Sequence, residues 1–487
     1  MDNYIASNWR KLSGENNWEG LLQPLDSHLR RYIIHYGQRA GAAVDLFNSD
    51  TYKPNASEEN FFTRACLVKG NPFEYDVRRF IYAGSKHVKP AWIGYVAVAT
   101  NKGTRVLGRR DILVAWRGTK TASEWGNNFQ FFPRVSGSDL FPGQTAVMMH
   151  KGFYSLYTGK IPVSTRDKIS ARKQVLDAIK ELVEEYKNEE KSVTVTGFSL
   201  GAALATLTAM DIITNGYNKT ITGEPFMVTA FTFGGPRVGN DGFASVFDTL
   251  GLRLLRIKNE KDFIPSIPLV PYKSVGNKLA VNTSVSDYLN RKVFCGALFS
   301  QQQQQQDDTW RRLSIVLLVV LMIFEPDWSP PRWFLIMIII IIIINWLNKE
   351  RKYCGDGGEF NRMDYEDEDE DLDPQELMII GSEDGGVRKI NCMVSHADAT
   401  SLNVKTSKLG ENYSCHNMDV YLHGVAIKDI DYTTTADELD HDIALVNKYF
   451  NRVLPRYKIP PNWWKGENRR KMVQLKNGRW KVRSGQT

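Results

Sequence analysis

The segment "VTVTGFSLGAALAT", Val193 to Thr206, constrains this chain more than any other. A run of β-branched residues suited to a strand meets Gly197-Phe198-Ser199-Leu200-Gly201 and passes directly into an alanine-rich stretch suited to a helix. A sharp strand-to-helix turn joins two such elements without a spacer. A serine on that turn is held in strained dihedrals with its hydroxyl exposed, and glycine two positions to either side lets the neighbouring backbone approach. The backbone N–H of Leu200 then points from the positive end of the helix toward a developing oxyanion. The bare five-residue pattern is common by chance; the strand before it and the helix after it give it weight. The segment predicts Ser199 as a nucleophile in a layered α/β domain.

The flanking sequence agrees. Arg30–Leu46 reads as a helix, and Trp92–Thr100 and Asp111–Trp116 read as strands, with turn chemistry at Asn101-Lys102-Gly103. Between Lys168 and Tyr186, apolar residues fall at helical spacing opposite a charged face. Strand Val193–Thr196, helix Ala202–Asn215, and strands Val228–Phe233 and Arg253–Ile257 follow. Strands alternating with helices predict a mostly parallel central sheet with helices on both faces. With 487 residues, 42% hydrophobic and 24% charged, the chain has the material for a large core. Its net charge of +7 is mild for this length and makes no case for nucleic acid, though it is compatible with weak attraction to anionic lipid. Cys66, Cys295, Cys354, Cys392 and Cys415 are scattered and lack C-x-x-C spacing, which points to a reducing compartment rather than disulfides or zinc. The opening residues lack both the apolar run of a signal peptide and the composition of a transit peptide, so a cytoplasmic location is expected.

Residues 1–290 carry this α/β pattern, and the character then changes. Residues 291–402 hold a glutamine run at Gln301–Gln306, apolar blocks at Leu313–Phe324 and Trp333–Ile344, and an acidic run at Asp364–Asp373. Neither block reaches the ~20 apolar residues of a membrane span. A re-entrant hairpin with Pro330 and Pro331 at its tip would anchor the protein through residues 313–347. The homopolymeric tracts favour the plainer readings, a disordered insert or a mispredicted gene segment. Ordinary patterning returns over residues 403–487.

Serine needs a base and a carboxylate to act as a nucleophile, and behind such an elbow the chain order is Ser, then Asp or Glu, then His. The loop after Arg253–Ile257, "KNEKDFIP", offers Glu260 and Asp262. Either is equally explained as a solvated loop charge. The base then comes from His396, His416, His423 or His441. His396 lies in the aberrant stretch, and His441 reads as a surface residue opening a polar-faced helix. His416 and His423 are two helical turns apart, and the residues alone do not separate them.

Four motifs together resemble the class 3 lipases, and within them the plant phospholipase A1 enzymes of the cytosolic class II type. These are Ala115-Trp116-Arg117-Gly118-Thr119, His150-Lys151-Gly152-Phe153, Thr196 to Ala202, and Phe233-Gly234-Gly235-Pro236-Arg237-Val238-Gly239-Asn240. The segments "NWRKLSGENNWEGLLQPLDSHLRRYI", "IPPNWW" and "GRW" are similar to the plant subgroup in particular. The resemblance covers about residues 1–290 and 405–487. It implies an α/β-hydrolase fold and a catalytic set of Ser199, Asp262 and His416, with oxyanion donors from Thr119 and the Leu200 N–H. His416 matches the first histidine of a family pattern from which Met418 and Asp419 depart, and His423 is then a packing residue. The implied reaction is hydrolysis of the sn-1 acyl ester of a phospholipid at a membrane surface, with no metal, organic cofactor or nucleic acid. Asn127–Met149, with Phe129, Phe131, Phe132 and Phe141, falls where a lid or acyl-binding rim would lie, or packs as a core loop. Rival expectations are a lipase or esterase acting on neutral glycerides or galactolipids, and a non-catalytic membrane-attached protein that inherited the fold.

Overall fold

A strand with no polar face has to be covered on both sides, and "DILVAW" is such a strand. In the computed structural model, which describes residues 3–85, 88–119, 134–162, 168–268, 271–290, 415–431 and 433–483, it lies within a seven-stranded sheet. The strands are β1 (Tyr75–Ser85), β2 (Val88–Ala99), β3 (Arg110–Trp116), β4 (Lys191–Phe198), β5 (Val228–Phe233), β6 (Arg253–Asn259) and β7 (Asn277–Val281). They sit side by side in chain order. The pairs β1–β2 and β2–β3 are antiparallel, and every pairing from β3 to β7 is parallel.

Alternation along β3 shows how both faces are filled. Ile112, Val114 and Trp116 join one core, with helices α2 (Ala171–Glu185), α3 (Leu200–Thr214) and α4 (Asp241–Leu250). Leu113 and Ala115 join the other, with α1 (Ser27–Asp45) and α5 (Met418–Ala426). Asp26 starts α1 by accepting from the backbone N–H groups of His28 and Leu29. The described residues before 291 and after 414 belong to one compact unit, so α5 completes the core begun by the first half of the chain. The glutamine run, both apolar blocks and the acidic run lie outside the described residues, as does His396. Among the described residues no helix is long and apolar enough to cross a membrane.

The parallel sheet with helices on both faces is as expected, and three local readings are corrected. Asn101-Lys102-Gly103 opens a helix, Asn101–Leu107, because the Thr100 hydroxyl accepts from Gly103 N–H. The helix expected from Lys168 starts at Ala171, since Ser170 caps it and Lys168–Ser170 pairs with Lys160–Pro162. The edge strands β1 and β7 were not anticipated.

One buried polar cluster locks α1 to the sheet. Asp111 Oδ1 accepts from Ser192, Thr194 and the Arg109 guanidinium, and Oδ2 accepts from Tyr36 of α1 and Tyr75 of β1. Arg109 and Asp111 are both sealed from solvent. Burial pushes the Tyr36 and Tyr75 phenols well above their ordinary range, so both stay donors. Removing one member strands a buried charge, which costs far more than a surface pair. Asp111→Ala should therefore lower unfolding stability by about 3–5 kcal/mol in urea titrations followed by tryptophan fluorescence. A loss below about 1 kcal/mol would show that the cluster holds nothing together.

Candidate active site

β4 ends at Phe198 and α3 begins at Leu200, which leaves Ser199 alone on the turn with φ 57° and ψ −121°. A side chain at positive φ carries strain of about 1–3 kcal/mol, so the surroundings have to impose it. A Cβ on Gly197 would lie 2.1 Å from the Gly201 carbonyl oxygen, and one on Gly201 would lie 2.4 Å from that of Trp116 in β3. The two glycines thus let the turn close on itself and against the neighbouring strand. Ser199 N–H donates to Phe233 O of β5 at 2.9 Å, tying the turn to the strand on its other side.

His416, 217 positions along the chain, places Nε2 2.8 Å from Ser199 Oγ. Its Nδ1 lies 2.6 Å from Asp262 Oδ2. With the imidazole proton on Nδ1 facing the carboxylate, Nε2 is left to accept from the serine hydroxyl. The His416 side chain is 6% exposed and that of Asp262 1%, so this line is screened from bulk water. Asp262 follows the end of β6, and its backbone N–H donates to Asn259 O. Its Oδ1 accepts from Ile264 N–H at 2.9 Å and its Oδ2 also accepts from the Tyr421 hydroxyl. Burial and the Asp262 charge push the Tyr421 phenol well above its usual value, which keeps it a donor. Asn259 Nδ2 donates to the carbonyl of Cys415, fixing the residue before the histidine. The Phe198 ring lies 4.7 Å from the His416 ring, and Gly234 leaves room beside it, since a Cβ there would come 3.2 Å from His416 Cε1.

Arg117 and Gly118 carry the chain from β3 to Thr119. Arg117 donates to Trp92 O and Gly118 O and lies over the Phe47 ring, which fixes this turn. Gly118 backs onto the elbow, where a Cβ would lie 3.5 Å from Ser199 Cβ. The Thr119 hydroxyl is buried and has no hydrogen-bond partner among the described residues. Leu200 N–H, at the first position of α3, has no acceptor within its helix. Gly118 thus brings the start of the Thr119 segment against the elbow.

The other candidates lie elsewhere. Glu260 is exposed. His423 is buried in α5, where Nε2 meets Ser286 Oγ at 2.8 Å and burial lowers its pKa to about 3. The polar-faced helix expected to put His441 at the surface does not do so, and His441 is fully buried. Asp440 pairs with Arg31, and Asp442 accepts from Ala444 and Trp480 N–H groups, so those charges are used locally while the imidazole turns inward. His150 caps the helix Lys151–Thr158 by accepting from Gly152 N–H. Of Asn127–Met149, residues 127–133 lie outside the described residues; in the remainder Phe141 is buried against Phe243.

Sequence reasoning also missed what steadies the histidine's helix. Three residues after His416, Asp419 meets Lys448 Nζ at 2.9 Å, and Lys448 pairs with Asp45 of α1 at 2.7 Å. One cation between two buried carboxylates neutralises one of them. Burial pushes the Asp419 carboxyl up to about 7, and the two carboxylates hold Lys448 charged. Neither Tyr421 nor Lys448 announces its role locally, because each partner is distant in sequence.

The profile of the class 3 lipases matches residues 113–272. The chain is 45% identical over 318 residues to phospholipase A1-II 6 of Oryza sativa subsp. japonica, an alignment covering 59% of this chain and 77% of that protein. It is 42% identical over 312 residues to phospholipase A1-IIgamma of Arabidopsis thaliana, covering 58% and 74%. Among solved structures, the Rhizomucor miehei triacylglyceride lipase aligns at 19% identity over 53% of this chain and 81% of that one, with a TM-score of 0.38. A strained serine at the C-terminal edge of a parallel sheet, facing an imidazole that a carboxylate orients, is the equipment of acyl transfer to water. This is a serine ester hydrolase of the α/β-hydrolase fold. By sequence the chain belongs to the class 3 lipases.

Two measurements test these contacts. Tyr421→Phe removes a hydrogen bond to a buried charge worth about 1.5–3 kcal/mol. Turnover on a soluble ester should fall about 10- to 100-fold, and an unchanged kcat would remove Tyr421 from the account. Between the ordinary carboxyl value and about 7, unfolded Asp419 gives up its proton before the folded form does. Its ionisation therefore lowers stability as pH rises through that window. Asp419→Asn lacks this slope, so its melting temperature relative to the parent should climb from about pH 5 to about pH 8; a constant difference would contradict the assignment.

Proposed function

We propose that the protein is a phospholipase A1, hydrolysing the sn-1 acyl ester of phospholipids through an acyl-enzyme on Ser199. The observation that carries this reading is the continuous line from Ser199 Oγ through His416 to Asp262, with both contacts below 3 Å. Substrate class is supported by the phospholipase A1-II relatives, of which the chain spans about three quarters.

Ser199 Oγ attacks the ester carbonyl while His416 Nε2 takes its proton. Asp262 balances the charge that forms on the imidazole and holds its tautomer. The oxygen that becomes anionic is received by the Leu200 N–H and the Thr119 hydroxyl. His416 then passes the proton to the departing glycerol oxygen, and the lysophospholipid leaves. A water molecule, deprotonated by the same nitrogen, attacks the acyl-serine and releases the fatty acid. All of these groups belong to the chain itself. The same reading puts the enzyme in the cytoplasm at the face of a membrane, in keeping with cysteines that lack disulfide spacing.

Phosphatidylcholine labelled separately on its two acyl chains tests the proposal. Release of the sn-1 chain alone is expected, lost on Ser199→Ala. Thr119→Val should lower turnover about 10²–10³-fold, the usual cost of one oxyanion donor. Release of the sn-2 chain, or hydrolysis confined to triacylglycerol or galactolipid, would overturn the phospholipase A1 assignment while leaving an ester hydrolase.

A further inference from the structure

The C-terminal hairpin, β8 (Met472–Gln474) paired with β9 (Trp480–Val482), takes no part in the chemistry above. Its two faces differ. The inward face carries Met472, Trp480 and Val482, packed with Trp463 and Trp464. Pairing of Val473 with Lys481, extended by backbone bonds from Arg483 to Lys471 and from Leu475 to Arg479, sets the opposite face. Strand alternation puts Lys471, Val473 and Leu475 on that face together with Lys481 and Arg483.

Val473 and Leu475 are 36% and 40% exposed. Among the described residues the exposed large hydrophobic side chains are Val68, Ile221, Val285, Val473 and Leu475, and two of these five share this face. Beside them Lys471, Lys476, Lys481 and Arg483 are also exposed, and Glu467 is the single carboxylate between residues 465 and 483. None of these cations forms an ion pair with a carboxylate among the described residues. Apolar side chains bordered by cations that lack a carboxylate partner among the described residues, on a hairpin packed against tryptophans, match a surface that is negative at its face and apolar just beneath.

We infer that the outer face of this hairpin docks the protein on a bilayer containing anionic phospholipid. Val473 and Leu475 enter the headgroup layer, and the surrounding lysines and arginines meet the phosphates. The identity of the partner rests on the phospholipase reading; the complementarity of charge and apolar surface does not. The platform also connects to the catalytic residues. Trp464 lies 5.3 Å from Lys448 Nζ, and Lys448 holds Asp419 beside the start of α5.

The test is co-sedimentation of the full chain with vesicles of ether-linked lipids, which contain no ester to cut. One set is phosphatidylcholine alone and the other also contains phosphatidylglycerol. Binding should require the anionic lipid and weaken with added salt. At about fivefold per basic residue, the combined substitution Lys471→Gln, Lys476→Gln and Lys481→Gln should weaken it about a hundredfold. Val473→Ser with Leu475→Ser should weaken it as well, and both variants should hydrolyse a soluble short-chain ester like the parent. Unchanged vesicle binding in the variants, indifference to phosphatidylglycerol, or binding of single-stranded RNA in place of vesicles would overturn the inference. Failure of the phospholipase reading would appear in the labelled-lipid assay instead, so the two failures are distinguishable.

Discussion

The positive φ at Ser199 is the constraint on which the rest of the site depends. A residue with a side chain does not rest at 57° unless its neighbours leave nothing else open. Here the turn is squeezed between the ends of β3 and β5, and the two contacts that allow it are ones that only glycine tolerates. The turn leaves the hydroxyl in reach of His416 Nε2 and makes Leu200 the first residue of α3. The strain is local, and the whole parallel sheet supports it.

Strand order explains how distant residues meet. Because β3, β4, β5 and β6 lie side by side and parallel, their C-terminal ends share one edge. Thr119, Ser199, Gly234 and Asp262 each follow one of these ends, so four separate segments converge without any long side chain reaching across. The histidine does not ride on the sheet. It precedes α5, whose packing on α1 and whose anchors at Tyr421 and Asp419 decide whether the imidazole bridges serine and carboxylate. The buried Asp111 cluster does comparable work at the start of β3, where it ties α1 to the sheet.

What could be read from the sequence follows from how local each demand is. The elbow was legible because its steric needs fall within two residues of Ser199. The central strands were legible because full burial leaves an unbroken apolar run, as in Ile112–Trp116. β1 escaped notice because an edge strand keeps Asp76 and Arg78 in solvent and shifts register against β2. β7 has only five residues, two of them polar. The choice of His416 over His423 needed family resemblance, since burial is settled by tertiary packing. His441 differs for the same reason: a polar-faced helix suggested solvent, yet Asp440 and Asp442 have partners of their own and the ring faces Asp419 at 3.8 Å. Tyr421 donates to a carboxylate 159 positions away, a relation no local pattern encodes.

The central claim is that the strained hydroxyl at position 199 is the group that becomes acylated. Reaction of the full chain with a fluorophosphonate ester, followed by peptide mass spectrometry, tests it directly. The account predicts a single adduct on Ser199, formed in step with the loss of ester hydrolysis and absent when His416 is replaced by alanine. An adduct on a different serine, or loss of hydrolysis with Ser199 unmodified, would contradict it.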